Sequence, residues 1–104
     1  KKLLFSGMLT EACISFAVLS AQEAGFDSYV VADTCGGLTE TGHELALRRM
    51  QDGGATMTSW LQVVLELQRD WTRKATYDAA RAVIARNGGG YGIGLNYARD
   101  MLPR

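Results

Sequence analysis

The chain has 104 residues, and its eleven Lys or Arg are balanced by eleven Asp or Glu, so the formal net charge is zero. That balance excludes the gathered surplus of cations by which proteins neutralise nucleic-acid phosphates. At 47% hydrophobic and 21% charged residues the composition is that of a soluble globular protein, and the length allows one small domain. The uncharged stretch Ala12 to Gln22 is too short to cross a bilayer, so no membrane partner is expected. Two cysteines are too few for a disulfide-stapled secreted scaffold and no leader-like pattern opens the chain, which makes the cytoplasm the expected compartment.

Leu3 to Ser6 is a short apolar run that reads as a strand, broken by Gly7. Thr10-Glu11 then opens a helix with Ile14, Ala17, Val18 and Ala21 at helical spacing, closed by Gly25. Tyr29-Val30-Val31-Ala32 is a compact run rich in β-branched residues, of the kind buried on both faces of a sheet. A loop is expected over 33–37. Thr39 or Thr41 can cap the next helix, whose inner stripe is His43, Ala46, Leu47 and Met50 and which Gly53-Gly54 ends. Ala55-Thr56-Met57 is a weak third strand. Ser59 then caps a strongly amphipathic helix with Trp60, Val63, Val64, Leu67 and Trp71 on one face. From Arg73 onward two further helices are expected, separated by the glycine run that starts after Asn87.

Strand, helix, strand, helix, strand, helix implies an α/β fold: a doubly wound parallel sheet of Rossmann-like, three-layer α/β/α type. Three strands cover too little of the flanking helices, and the most apolar of them, Leu3 to Ser6, falls at an open edge. The chain therefore reads as part of a larger sheet, its remaining strands supplied by a longer parent or a partner.

In open parallel sheets ligands bind beyond the carboxyl ends of the strands. Cys13 falls there, in the opening turn of a helix, where backbone N–H groups and the helix dipole favour a thiolate, the form that attacks. The alternative is a small buried hydrophobe, since free cysteines are among the most buried residues. His43 could serve Cys13 as a base with Asp33 as orienter, or be a hydrogen-bonded, partly buried side chain on its stripe. Cys35 reads as a packing residue. The glycine run 88–94 does not match G-x-G-x-x-G spacing and follows a helix, so it is a connection, not a nucleotide loop. Trp60, Trp71 and Tyr77 read as core or interface. One His and two separated Cys make no metal-ligand cluster, and no metal or cofactor is expected.

Gly7-Met8-Leu9-Thr10-Glu11-Ala12-Cys13-Ile14, between an apolar strand and a helix ending Ala24-Gly25, resembles the nucleophile segment of the isochorismatase-like cysteine hydrolases, the family of nicotinamidase and N-carbamoylsarcosine amidohydrolase. The likeness continues through Tyr29 to Asp33, Gly36-Gly37, His43-Glu44, Arg48-Arg49-Met50 and Gly53-Gly54-Ala55 to Trp60-Leu61. On this resemblance residues 1–104 form the C-terminal half of one hydrolase domain, with 1–72 its core and 73–104 a helical tail. It implies a cysteine hydrolase acting on an amide-type C–N bond of a small molecule, with Cys13 as nucleophile and a thioester intermediate. It further implies that the backbone N–H groups of Leu9 and Cys13 hold the oxyanion, with the Met8–Leu9 peptide cis. The family's Asp and Lys have no matching position here and would come from outside this segment. The expected partners are a small-molecule substrate and either further copies of the chain or a complementary N-terminal half. The competing reading is a non-catalytic oligomerising or binding module that keeps the fold without the triad.

Overall fold

Alternating side chains, compact β-branched runs and two glycine-terminated helices give a repeated strand-helix pattern over the first sixty residues. The structure, a computed structural model, describes residues 1–70 and 72–90. It divides into two compact units, Lys1–Trp60 and Leu61–Arg104.

In the first unit β1 (Lys2–Met8) is followed by a wide turn, Thr10–Ile14, and by α1 (Ser15–Glu23). β2 (Asp27–Gly36), α2 (Glu40–Asp52) and β3 (Thr56–Thr58) complete it. The strands form one parallel sheet in the order β1-β2-β3. This is the α/β class with a parallel sheet flanked by helices that the sequence implies, and β1 stands at the sheet's edge. β2 is central, and Ser28, Val30 and Val31 are buried within it. Both α1 and α2 end in the same way. Gly25 N–H bonds to Gln22 C=O and Phe26 N–H to Ala21 C=O, while Gly54 N–H bonds to Gln51 C=O and Ala55 N–H to Met50 C=O. The left-handed residue this motif requires is glycine each time, at φ 92° and 102°. Side chains of Ile14, Val18, Val30, Met50 and Ala55 form the core, with Phe5, Cys35, Leu47 and Met57 packed against it.

Three local expectations change. Residues 33–36 belong to β2 and are not a loop: Phe5 stands opposite Val30 but Gly7 opposite Cys35, so β2 takes the longer path and bulges between the two pairings. Thr34 Oγ1 fastens the bulge by donating to Val31 C=O at 3.0 Å and accepting Ser6 Oγ–H at 2.8 Å. The first helix opens as a wide turn before α1, and Ala17 lies exposed beside the buried stripe of Ile14 and Val18. Of the two candidate caps of α2 it is Thr39 that acts, accepting Gly42 N–H at 2.9 Å.

In the second unit α3 (Trp60–Gln68), which starts on the last residue of the first unit, is followed by α4 (Lys74–Asn87). The buried Gln68 builds the corner between them: its Nε2 donates to Asp70 C=O and Arg73 C=O, and its Oε1 accepts Thr76 Oγ–H. Leu67, expected on the inner stripe of α3, is exposed. Trp71 and the second tail helix expected beyond the glycine run lie outside the described residues. No helix among the described residues is long and apolar enough to cross a membrane.

Met50 has no exposed surface and sits where α2 meets the rest of the core. Met50→Ala is expected to lower the unfolding free energy by about 2–5 kcal/mol, and Arg48→Ala on the exposed side of α2 by less than about 0.5 kcal/mol. Urea denaturation of both variants checks this.

Candidate functional site at the end of the first strand

Residues 8–15 carry the chain from the carboxyl end of β1 into α1. The Met8–Leu9 peptide bond is cis. Leu9, in extended conformation, offers its carbonyl to two amides, Ala12 N–H at 3.1 Å and Ile14 N–H at 3.2 Å. Thr10 C=O receives the backbone N–H of Ser15 and also its hydroxyl, the latter at 2.6 Å. The bonds from Ile14 N–H to Leu9 C=O and from Ser15 N–H to Thr10 C=O reach one residue further than those of an α-helix, so the turn from Thr10 to Ile14 is π-helical, a form common at functional sites. Its consequence is a sharp division between neighbours. Thr10, Ile14 and Ser15 are buried, whereas Cys13 is exposed.

Two side chains tie this turn to the start of α2. Thr10 Oγ1 lies 2.8 Å from His43 Nδ1. Glu11 reaches across to the segment before the helix, where its Oε2 accepts Leu38 N–H at 2.9 Å. The same oxygen sits 2.8 Å from where a Cβ on Gly42 would be, so glycine is the residue that fits there. Glu11 Oε1 is buried with no hydrogen-bond partner among the described residues. Sequence reasoning did not single out Thr10, Glu11 or Ser15 as builders of the site. The threonine and glutamate lay within the quoted motif, but their partners are distant in sequence.

The expected site residues are distributed unevenly. Leu9 and Cys13 share the turn. His43 is bound to Thr10, and among the described residues no hydrogen bond joins it to Cys13 or Asp33. Asp33 instead accepts Trp60 N–H at 2.8 Å on its Oδ1, at the first residue of α3. Cys35 faces the core and directs its thiol toward Phe5 C=O at 4.0 Å. Burial pushes the Cys35 thiol pKa above its ordinary value; a backbone hydrogen bond at Gly7 opposes the shift and the Asp33 carboxylate adds to it. A groove of about 260 Å³ opens between α1 and α2, lined by Glu11, Phe16, Leu19, Leu45 and Arg49 among others, and Cys13 is not part of its wall. No group of three or more His, Cys, Asp or Glu among the described residues could hold a metal ion.

Residues 1–62 match the family profile described as the Isochorismatase domain, which places the whole turn and both of its anchors inside the matched segment. The chain belongs to the isochorismatase family. It is 42% identical over 71 residues to the probable hydrolase YcaC of Escherichia coli K12, covering 68% of this chain and 34% of that protein. Isochorismatase domain-containing protein 2 of Xenopus laevis is 34% identical over 70 residues, 67% of this chain and 34% of its own length. The solved structure of Escherichia coli YcaC, an octameric hydrolase of unknown specificity, superimposes with a TM-score of 0.85 at 35% identity, covering 99% of this chain and 49% of that one. YcaC from Pseudomonas aeruginosa, solved with hexane-2,5-diol and covalent acrylamide, gives 0.83 at 32% identity over 92% of this chain and 46% of that one. The chain thus spans about a third of the length of these curated relatives and about half of the solved chains.

The two thiols of this isochorismatase-family chain differ in exposure. Iodoacetamide should modify Cys13 faster than Cys35 in the folded protein at neutral pH. Because the Cys35 pKa is raised, its thiolate forms only at higher pH, so the ratio of the two rates should shrink as pH rises above the ordinary thiol range. Peptide mass spectrometry after timed quenching measures both sites in one sample, and equal or reversed rates at neutral pH contradict the assignment.

Proposed function

We propose that Cys13 is the nucleophile of a hydrolase that cleaves an amide-type C–N bond in a small molecule. The observation that carries this reading is the position of Cys13: an exposed thiol at the carboxyl end of a parallel strand, on a turn fixed by the Leu9 and Thr10 carbonyls. Its sulfur attacks the substrate carbonyl carbon as the C=O pair moves onto oxygen. The backbone N–H groups of Leu9 and Cys13 receive that charge on this reading. Collapse of the adduct expels the protonated amine and leaves a thioester, which water hydrolyses to the acid and the free thiol. The Asp that takes the thiol proton and the Lys that assists come, on this reading, from a complementary N-terminal half outside residues 1–104. The covalent acrylamide held by the Pseudomonas relative supports a site at which a carbonyl compound meets a nucleophile.

The open edge of β1, with Leu4 and Met8 exposed along it, supports association with that half or with further copies, as does the octameric state of the Escherichia coli relative. The same edge favours the second reading, an oligomerising module without catalysis.

Joined to a complementary half, the protein should release ammonia or an amine from a small amide, and Cys13→Ala should reduce turnover at least about a thousandfold with an unchanged circular dichroism spectrum. Residues 1–104 alone should turn over slowly for want of the base. Full activity in Cys13→Ala would remove the nucleophile assignment and leave the module reading. Light scattering of residues 1–104 should show an assembly larger than one chain, and a stable monomer would count against the edge as an association surface.

A further inference from the structure

Thr10 is held from two sides. Its carbonyl takes the Ser15 hydroxyl at 2.6 Å, and its own hydroxyl meets His43 Nδ1 at 2.8 Å. It has no exposed surface, although it lies between Leu9 and the exposed Cys13. His43 is itself fixed, because its backbone N–H bonds to Thr39 C=O at 2.9 Å in the capped first turn of α2. The contact works in either imidazole tautomer, since a hydroxyl can donate to a bare ring nitrogen or accept from its N–H.

A part-buried hydrogen bond across 33 residues of sequence is more than α2 needs in order to pack, because Ala46 and Met50 already bury its face. What the bond does locally is pin the backbone between the two N–H groups that would share one oxyanion. Rotation of the Thr10 peptide units would turn the Leu9 and Cys13 amides apart, and oxyanion donors work only when they are aimed in advance. We propose that His43 is a positioning residue: through Thr10 it holds the Leu9-to-Cys13 turn in the geometry that binds developing negative charge on a substrate carbonyl oxygen. It takes no proton from the thiol in this role. The inference rests on the reading of Cys13 as nucleophile.

Two alkylators separate alignment from mere exposure, and both need only groups that this chain carries. With acrylamide the Cys13 thiolate bonds to the β-carbon, the C=C pair shifts so that charge develops on the amide oxygen, and water then protonates the α-carbon. With iodoacetamide the thiolate displaces iodide and no charge develops on the amide oxygen. The ratio of acrylamide to iodoacetamide rates at Cys13, relative to the same ratio for N-acetylcysteine amide, therefore reads the oxyanion donors.

The expected ratio in the unaltered chain is about tenfold above that of the free amide, a fraction of what a full oxyanion donor contributes in turnover. It should fall to the free-amide value in Thr10→Val and in His43→Leu. Thr10→Ser, which keeps the hydroxyl, and His43→Asn, whose amide can occupy the place of Nδ1, should restore most of it. A purely structural role would instead change both alkylation rates together and leave the ratio alone. A raised ratio that survives in folded Thr10→Val and His43→Leu overturns the positioning role while leaving the nucleophile reading intact. A ratio equal to the free amide in the unaltered chain removes the oxyanion reading and this inference with it. Should His43→Leu fail to fold, Thr10→Val against Thr10→Ser decides the matter, and equal ratios in those two overturn it.

Discussion

The Leu9 and Thr10 carbonyls, each accepting two hydrogen bonds across the turn, set the geometry on which the rest of the first unit depends. The bonds from Ile14 N–H and Ser15 N–H reach a residue further than α-helical bonds do and so widen the turn. Ile14 then enters the core with Val18, Val30 and Met50, while the adjacent Cys13 faces outward. The thiol's accessibility and the burial of the first core residue are therefore one outcome of one hydrogen-bond pattern. A regular α-helical start would redistribute both.

Such a turn is not self-supporting, and the second strand-helix pair supplies what it lacks. Ser6 and Thr34 fasten the bulge in β2 that brings Cys35 and Gly36 opposite Gly7 and Met8, so the end of β1 is held by a neighbouring strand as far as the turn itself. Beyond it, Leu38 and His43 receive the side chains of Glu11 and Thr10. Anchors at Thr10 and Glu11, immediately before Ala12 and Cys13, suit a site that must stay aimed while presenting its reactive group to solvent. Both anchors lie within the matched family segment, which runs through α2 and β3 to the start of α3.

Much of this was legible from residues alone. Gly25 and Gly54 mark helix ends because their left-handed backbone is a local requirement, and the run Tyr29 to Ala32 marks a central strand because β-branched side chains suit a sheet covered on both faces. Asp33 to Gly36 misled for an equally physical reason: the composition is that of a turn, and only the tertiary bond from Ser6 shows that the chain re-enters the ladder. The π-helical turn has no residue signature, since it is defined by which amide each carbonyl accepts. Thr10 and Glu11 read locally as a helix start, and their partners lie 33 and 27 residues away, where periodicity carries no information. Cys13 and Leu9 were singled out together only through resemblance to a family; composition and spacing distinguish the cysteine alone.

The Glu11 carboxylate occupies the space into which a side chain at residue 42 would grow, with Thr39 Oγ1 the next atom in the way. The residues acceptable at position 42 therefore depend on the residue present at position 11. Divergence along this lineage would be coupled: a lost carboxylate removes the closer of the two obstacles to alanine at position 42, and alanine there would press a glutamate at position 11 away from the Leu38 N–H.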